Sequence, residues 1–323
     1  MLRFSLLLLL LISCNSELKE TKYKKVSGGV FGTSYHISYD SDLDFSSSFD
    51  SIFNRTNQSL STYISSSDIS RINRGEKDVL VDENFVEVFY KAQKVYQESK
   101  GIYDPTIGQV VNAYGFGPEK YVSPPSDSLI AAKMQFVGFD KVEIASGQVV
   151  KQYDETYFDF NSVAKGFGVD LVGRFLESKG IRNYLVEIGG EIRARGLNER
   201  KVYWTVAVEK PNFDMTRSVQ EIISLNNESI ATSGNYRKFR VNKETGEKFV
   251  HTINALNGKA EQSNLLSASV ITDLDCADAD AYATAFMAMG YEETINFVAN
   301  RSDIRVLLIY LDQNGDSQVY QSW

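Results

Sequence analysis

A carboxylate and a hydroxyl stand four residues apart in the run Cys276-Ala277-Asp278-Ala279-Asp280-Ala281-Tyr282-Ala283-Thr284-Ala285-Phe286. On a helix, Asp280 and Thr284 would lie one above the other on a single face. Together they offer hard oxygen donors, which suit Mg²⁺ rather than zinc. The alanines around them keep that face thin enough for backbone or ligand to approach. The same residues also fit a helix start whose acidic groups favour the dipole, with Thr284 packed in a core. A second segment, Asp159 through Asp170, feeds a strand into a helix whose first turn is Ala164-Lys165-Gly166. Amides at a helix start attract anions and Lys165 adds a point charge, a combination that suits a diphosphate. The glycine spacing is not that of a Walker A loop. A third pair of segments is Thr232-Ser233-Gly234-Asn235, read as a turn, and His251 ahead of the turn-rich Asn254-Ala255-Leu256-Asn257-Gly258.

These segments need elements to hold them. The spacing predicts a strand or hairpin over Val26–Tyr39, a helix over Ser46–Leu60 and another over Asp82–Glu98, whose Phe85, Val88, Phe89, Ala92, Val95 and Tyr96 form one stripe. Short strands follow at Lys141–Ile144, Val149–Tyr153 and Tyr157–Phe160. A helix over Ser162–Ser178 is capped by Asn161 or Ser162 and closed by Gly180. Tyr184–Ile188 and Glu191–Arg195 flank a Gly189-Gly190 turn. Further strands fall at Val202–Glu209, Glu221–Leu225, Phe239–Val241 and Ser267–Thr272, and a last helix spans Cys276–Met289. Helices and hairpins mix without regular alternation. That predicts an α+β fold with mixed, largely antiparallel sheets and packed helices, in one domain over residues 26–323.

The N-terminus carries Arg3, an apolar run from Phe4 to Ile12, then Ser13 and Cys14. This is the pattern of a secretory signal peptide over residues 1–13, and the run is too short to span a bilayer. The tetrad Leu11-Ile12-Ser13-Cys14 resembles the lipobox of bacterial lipoproteins, and the resemblance implies lipid on the Cys14 thiol. Residues 14–25 are polar and read as a tether from a membrane to the fold. With Cys14 lipidated, Cys276 has no partner for a disulfide, so the core must stabilise the fold by itself. The net charge of −8 and pI near 5.0 argue against a nucleic-acid binder. Two histidines and two cysteines do not make an ordinary closed zinc site.

Taken in order, the motifs resemble those of the ApbE-type FAD:protein FMN transferases, many of them bacterial lipoproteins. They are Gly32-Thr33, Leu60-Ser61-Thr62-Tyr63, Gly101 to Gly108, Asp159 to Asp170, Glu187 to Glu191, Thr232-Ser233-Gly234, His251 and the Ala-Asp-Ala-x-Ala-Thr-Ala run at Asp280 and Thr284. The resemblance implies that Asp280, Thr284 and the Ala164 carbonyl hold Mg²⁺. It implies that Tyr63, Asp104, Thr106, Lys165, Asp170, Glu187, Gly189, Gly190, Ser233 and Gly234 border the FAD. His251 would stand at the transfer site, with Lys165 and Asp280 taking part in catalysis. The chain departs from the family's His-x-x-Asp pattern at Asn254. The implied reaction moves FMN from FAD to a Thr or Ser hydroxyl of an acceptor protein, such as a membrane redox subunit or an extracytoplasmic reductase, and releases AMP. Release of FMN to water and flavin binding without turnover are the alternatives that the residues leave open.

Overall fold

The computed structural model describes residues 22–119, 124–211, 218–235, 239–241, 248–260 and 263–323. The signal peptide, Cys14 and the first part of the tether lie outside the described residues. The chain starts as a hairpin, β1 (Lys24–Val30) and β2 (Thr33–Tyr39), followed by α1 (Ser46–Leu60), α2 (Asp68–Asn73), α3 (Glu83–Glu98), α4 (Gly108–Ala113) and α5 (Asp127–Met134). A small hairpin, β3 (Val142–Ala145) and β4 (Gln148–Lys151), precedes α6 (Ala164–Ser178) and the hairpin β5 (Tyr184–Ile188) and β6 (Glu191–Arg195). Then come β7 (Trp204–Glu209), β8 (Val219–Leu225), β9 (Ser229–Gly234), β10 (Phe239–Val241), β11 (Lys248–Val250) and β12 (Leu265–Thr272). The chain ends with α7 (Cys276–Met289), α8 (Tyr291–Val298), β13 (Ile304–Leu311) and β14 (Ser317–Gln321).

One eight-stranded sheet in the order β1-β2-β5-β6-β9-β12-β13-β14 runs through the molecule. All its pairings are antiparallel. At one end Ile37, Val186 and Ile188 pack with Phe49, Phe53, Val172 and Leu176 of α1 and α6. Farther along, Ala268, Val270, Val306 and Leu308 meet α7, α3 and the buried Phe158 and Phe160. The opposite face of that half, with Ile230, Ile271, Leu307 and Ile309, is covered by Val208, Ile223 and Leu225 of the β7–β8 hairpin. A satellite cluster seats Ile253, Ala255 and Ala260 against Val110, Tyr114 and Ile130 of the α4–α5 region. α7 is buried nearly all round, as its alanine content allows.

Four expectations change. Residues 24 and 25, expected in a tether, belong to the fold, because Lys24 and Lys25 pair with Tyr39 and Ser38 in β1. Their charges sit on an outermost strand and reach Asp44 and Glu199. Tyr157–Phe160 is not a strand. The Asn73 amide oxygen accepts from the Phe158 amide and the Pro105 carbonyl accepts from that of Asp159, which satisfies this backbone without a ladder. The N-cap of α6 is Val163, with no side-chain cap, since Ser162 Oγ donates instead to Tyr103 Oη at 3.1 Å. Ser233 and Gly234 are not a turn but the end of β9, paired with Ala268 and Ser267.

Candidate active site around Asp280 and Lys165

Two helix starts meet at the site. Gly166, in the first turn of α6, faces the first turn of α7, where an added Cβ would stand 2.7 Å from the Cys276 carbonyl carbon and 2.8 Å from Ala277 Cα. No larger residue fits there. This close approach brings the Gly166 amide to Asp280, donating to Oδ2 at 3.1 Å. An amide expected to greet an anionic ligand is therefore already committed to the protein's own carboxylate. Lys165 Nζ lies 3.5 and 3.4 Å from the two Asp280 oxygens and 3.1 Å from Glu191 Oε1. On the next turn of α7, Thr284 Oγ1 is 3.4 Å from Ser233 Oγ of β9.

Glu191 is the residue that motif reading missed. The sequence did carry a signal for it. The Gly189-Gly190 turn takes φ of +63° and +106°, as a tight hairpin turn requires, and it sets Ile188 across from Glu191. Residues opposite one another share a face, so Glu191 must point with Ile188 into the core, where a carboxylate needs a cation. Burial raises its carboxyl above the usual range; Lys165 pulls it back and Asp280 adds to the rise. For Lys165, burial would lower the pKa, yet Asp280 and Glu191 outweigh it and the ammonium is held more firmly than usual. One Glu191 oxygen, Oε2, is sealed from solvent with no hydrogen-bond partner.

Glu187, which precedes the turn, sits on the opposite face of the sheet. Its Oε2 meets His36 Nδ1 at 2.7 Å and its Oε1 accepts from the Gly190 amide at 2.8 Å. The hairpin thus separates Glu187 from the Lys165 cluster while bracing Gly190.

A second wall carries Tyr63, Phe116 and His251. Tyr63, in the turn after α1, is 60% exposed and its Oη reaches toward the Phe116 carbonyl at 3.5 Å. The Phe116 ring in turn meets that of His251 edge-on, 6.3 Å between centroids. Thr252 Oγ1 donates to Asn235 Oδ1 at 3.0 Å, which ties the His251 loop to the chain just beyond Ser233 and Gly234. Asn254 stabilises the same loop: its Oδ1 accepts from the Leu256 amide at 2.9 Å and its backbone pairs with Lys259. The asparagine at this position is therefore a turn-forming residue, a task that its carbonyl oxygen performs as well as a carboxylate would.

Three expected site residues are absorbed elsewhere. Asp104 is buried and accepts from Thr106 N and Oγ1 and from Phe139 N, while Thr106 Oγ1 accepts from Gly138 N. From that segment it is Tyr103, through Ser162, that touches the start of α6. Asp170, fully buried, accepts from the Cys276 and Ala277 amides at 2.9 and 2.8 Å and pairs with Arg193 at 2.8 Å. It caps α7 from a fully buried position. The local candidate, Asp275, is drawn off by Lys91, Arg174 and Arg193 and makes no cap.

Asp280, Thr284 and Ser233 thus supply oxygen donors at one spot, beside a lysine and a buried glutamate. Among the described residues no group of three His, Cys, Asp or Glu side chains is placed to hold a metal. A cation here would have to draw on the carboxylate, hydroxyl and backbone oxygen.

The family model for the ApbE family matches residues 31–308. The chain is similar to the FAD:protein FMN transferase of Vibrio cholerae, 36% identical over 317 residues that cover 95% of this chain and 92% of that one. The Haemophilus influenzae FAD:protein FMN transferase is 34% identical over 312 residues, 92% and 89% of the two chains. Among solved structures, the flavin transferase ApbE from V. cholerae superimposes with a TM-score of 0.84 at 34% identity, covering 93% of this chain and 97% of that one. The apo form of the Pseudomonas stutzeri flavinyl transferase ApbE gives 0.83 at 26% identity, over 94% and 96%. With the same fold, the same span and a matching family model, this chain belongs to the ApbE family.

Proposed function

We propose that this protein is an FAD:protein FMN transferase, which moves FMN from FAD to a Thr or Ser hydroxyl of an acceptor protein and releases AMP. The observation that carries the reading is the meeting of Asp280, Thr284 and Ser233 with Lys165 at the junction of α6 and α7. A pyrophosphate is already anionic, and its cleavage concentrates charge on the bridging oxygen that leaves with AMP. A site for that step needs positive charge and hard oxygen ligands more than a strong base.

The donor set fits Mg²⁺, with the Asp280 carboxylate, the Thr284 hydroxyl and the Ala164 carbonyl as ligands. The buried Glu191 Oε2 has no hydrogen-bond partner of its own. Bound there, Mg²⁺ would neutralise pyrophosphate charge. Lys165 would supply a fixed ammonium to the phosphates. Tyr63 offers an exposed ring on which the isoalloxazine or adenine can stack. The acceptor hydroxyl oxygen attacks the FMN-side phosphorus, the P–O bond to AMP breaks, and His251 orients the hydroxyl and takes its proton. The Thr252–Asn235 hydrogen bond supports that role by holding the residue next to His251 beside the end of β9.

The acceptors are membrane redox subunits or extracytoplasmic reductases, and the enzyme meets them as an exported protein held by lipid on Cys14. The apolar run followed by Ser13-Cys14 supports this placement. The test is mass analysis of a Thr-bearing acceptor peptide after incubation with the protein, FAD and Mg²⁺. The expected result is one FMN ester per acceptor and one AMP. Free FMN and AMP with an unmodified peptide would make the protein a pyrophosphatase, and no AMP at all would leave it a flavin carrier.

A further inference from the structure

Around Lys165 two buried acids face one ammonium, and its 3.1 Å contact with Glu191 favours the ionised carboxylate against the opposing effect of burial. The side chains of Asp280, Glu191 and Lys165 are 3%, 5% and 30% exposed. The ammonium leans toward Glu191, at 3.1 Å from Oε1, and touches Asp280 only at 3.4 and 3.5 Å. Asp280 does not depend on the lysine, because the Gly166 amide holds its Oδ2 at 3.1 Å. Glu191, by contrast, has an oxygen left over: Oε2 is closed to solvent and unpartnered. An ammonium has three donors, so Glu191 can hold Lys165 by both oxygens if the lysine moves fully to it.

We infer that Glu191 is a positioning residue that draws Lys165 off Asp280, so that Asp280 is open to a divalent cation while Lys165 stays within reach of substrate. This inference rests on the metal site proposed above. The physical reason is competition. Lys165 and a divalent cation seek the same carboxylate, and like charges a few ångströms apart in a buried site repel strongly. Without the charge on Glu191, Lys165 falls back onto Asp280 and the cation must displace it. The lysine thus acts as an internal competitor for the metal, and Glu191 sets how strongly it competes.

A double-mutant cycle tests this, with Mn²⁺ titrated into the metal-free full chain without flavin and free Mn²⁺ read by electron paramagnetic resonance. Glu191→Gln, which keeps the side chain's shape, is expected to weaken Mn²⁺ binding about tenfold or more in the Lys165 protein. In the Lys165→Met background the same change should cost only about threefold, the direct effect of a lost nearby charge. Circular dichroism establishes that each variant is folded. If Glu191→Gln is unfolded in the Lys165 protein, Glu191→Ala and the comparison of wild type with Lys165→Met remain, the latter predicting equal or tighter Mn²⁺ binding once the competitor is gone. Equal penalties for Glu191→Gln in both backgrounds would overturn the inference and make Glu191 a direct partner of the cation. Weaker binding in Lys165→Met than in wild type would overturn it too. Wild-type protein that takes up no Mn²⁺ without flavin also overturns it, because an open Asp280 is its premise. Asp280→Ala separates the two readings: if that variant binds Mn²⁺ as wild type does, the metal site itself is misplaced, whatever Glu191 does.

Discussion

Asp170→Asn is the substitution on which the architecture of the site depends most directly. The carboxylate belongs to α6, yet it caps α7 by accepting from the Cys276 and Ala277 amides, and it pairs with Arg193. Asparagine keeps one acceptor oxygen but turns an NH₂ group toward the remaining donor. Hydrogen bonds to a charged group are worth about 1.5–3 kcal/mol each, and removing one partner of a buried ion pair costs about 3–5 kcal/mol. These figures describe the same contacts and do not add. Arg193 also keeps Asp275 at 2.7 Å and so is not left alone. The expected loss is therefore about 3 kcal/mol, close to the cost of the buried pair at its lower end. The assay is urea unfolding followed by circular dichroism at pH 7.5. Burial brings the Asp170 carboxyl to about 6, so it is ionised there. Asp280 stands one turn beyond the capped amides, roughly 6 Å along the axis, so transfer activity should fall with stability. A stability loss under about 1 kcal/mol would refute the view that the cap and ion pair set the start of α7.

Asp280→Ala should abolish flavin transfer while leaving a folded protein, whereas Lys165→Ala should weaken transfer less, both read by AMP release; wild-type rates in Asp280→Ala would refute the site. Gly166→Ala would force a methyl into the Cys276 and Ala277 backbone, so overpacking of about 1–3 kcal/mol and loss of transfer are expected, measured by unfolding and by peptide labelling. Asp104 gives a pH signature. Burial raises its carboxyl to about 6, against the hydrogen bonds from Thr106 and Phe139. The native state therefore keeps a proton that the unfolded chain releases near 3.8, and this group's contribution declines as pH rises from about 4 to about 6, then stays level. Relative to wild type, Asp104→Asn should gain about 3 kcal/mol across that window, and a pH-independent difference between the two unfolding curves would contradict it.

Much of the molecule was legible from local pattern. The helices over Ser46–Leu60 and Cys276–Met289 and the hairpin Tyr184–Ile188/Glu191–Arg195 match their predicted limits, because apolar periodicity and a Gly-Gly turn are properties of neighbouring residues. The apolar run Ile304–Leu311 went unread as β13, since such a run lacks the alternation that marks a half-buried strand. Ser233-Gly234 looked like a turn because small polar residues favour turns. β12 pairs them into the sheet nonetheless, which side-chain type does not reveal.

By itself the sequence determined several of the elements, among them α1, α7 and the β5–β6 hairpin, the order of the motifs and the pairing of Asp280 with Thr284 on one helical face, all of which follow from spacing along the chain. Only the tertiary structure decided which charged residues serve the site. It sent Asp170 behind α7 as a cap, committed Asp104 and Thr106 to their own loop, turned Glu187 to the far face, and placed Glu191 against Lys165. A carboxylate's role is set by the donors and cations that surround it once buried, and those come from residues far away in sequence. Asp280 and Gly166, 114 residues apart, meet because glycine lets two helix starts touch.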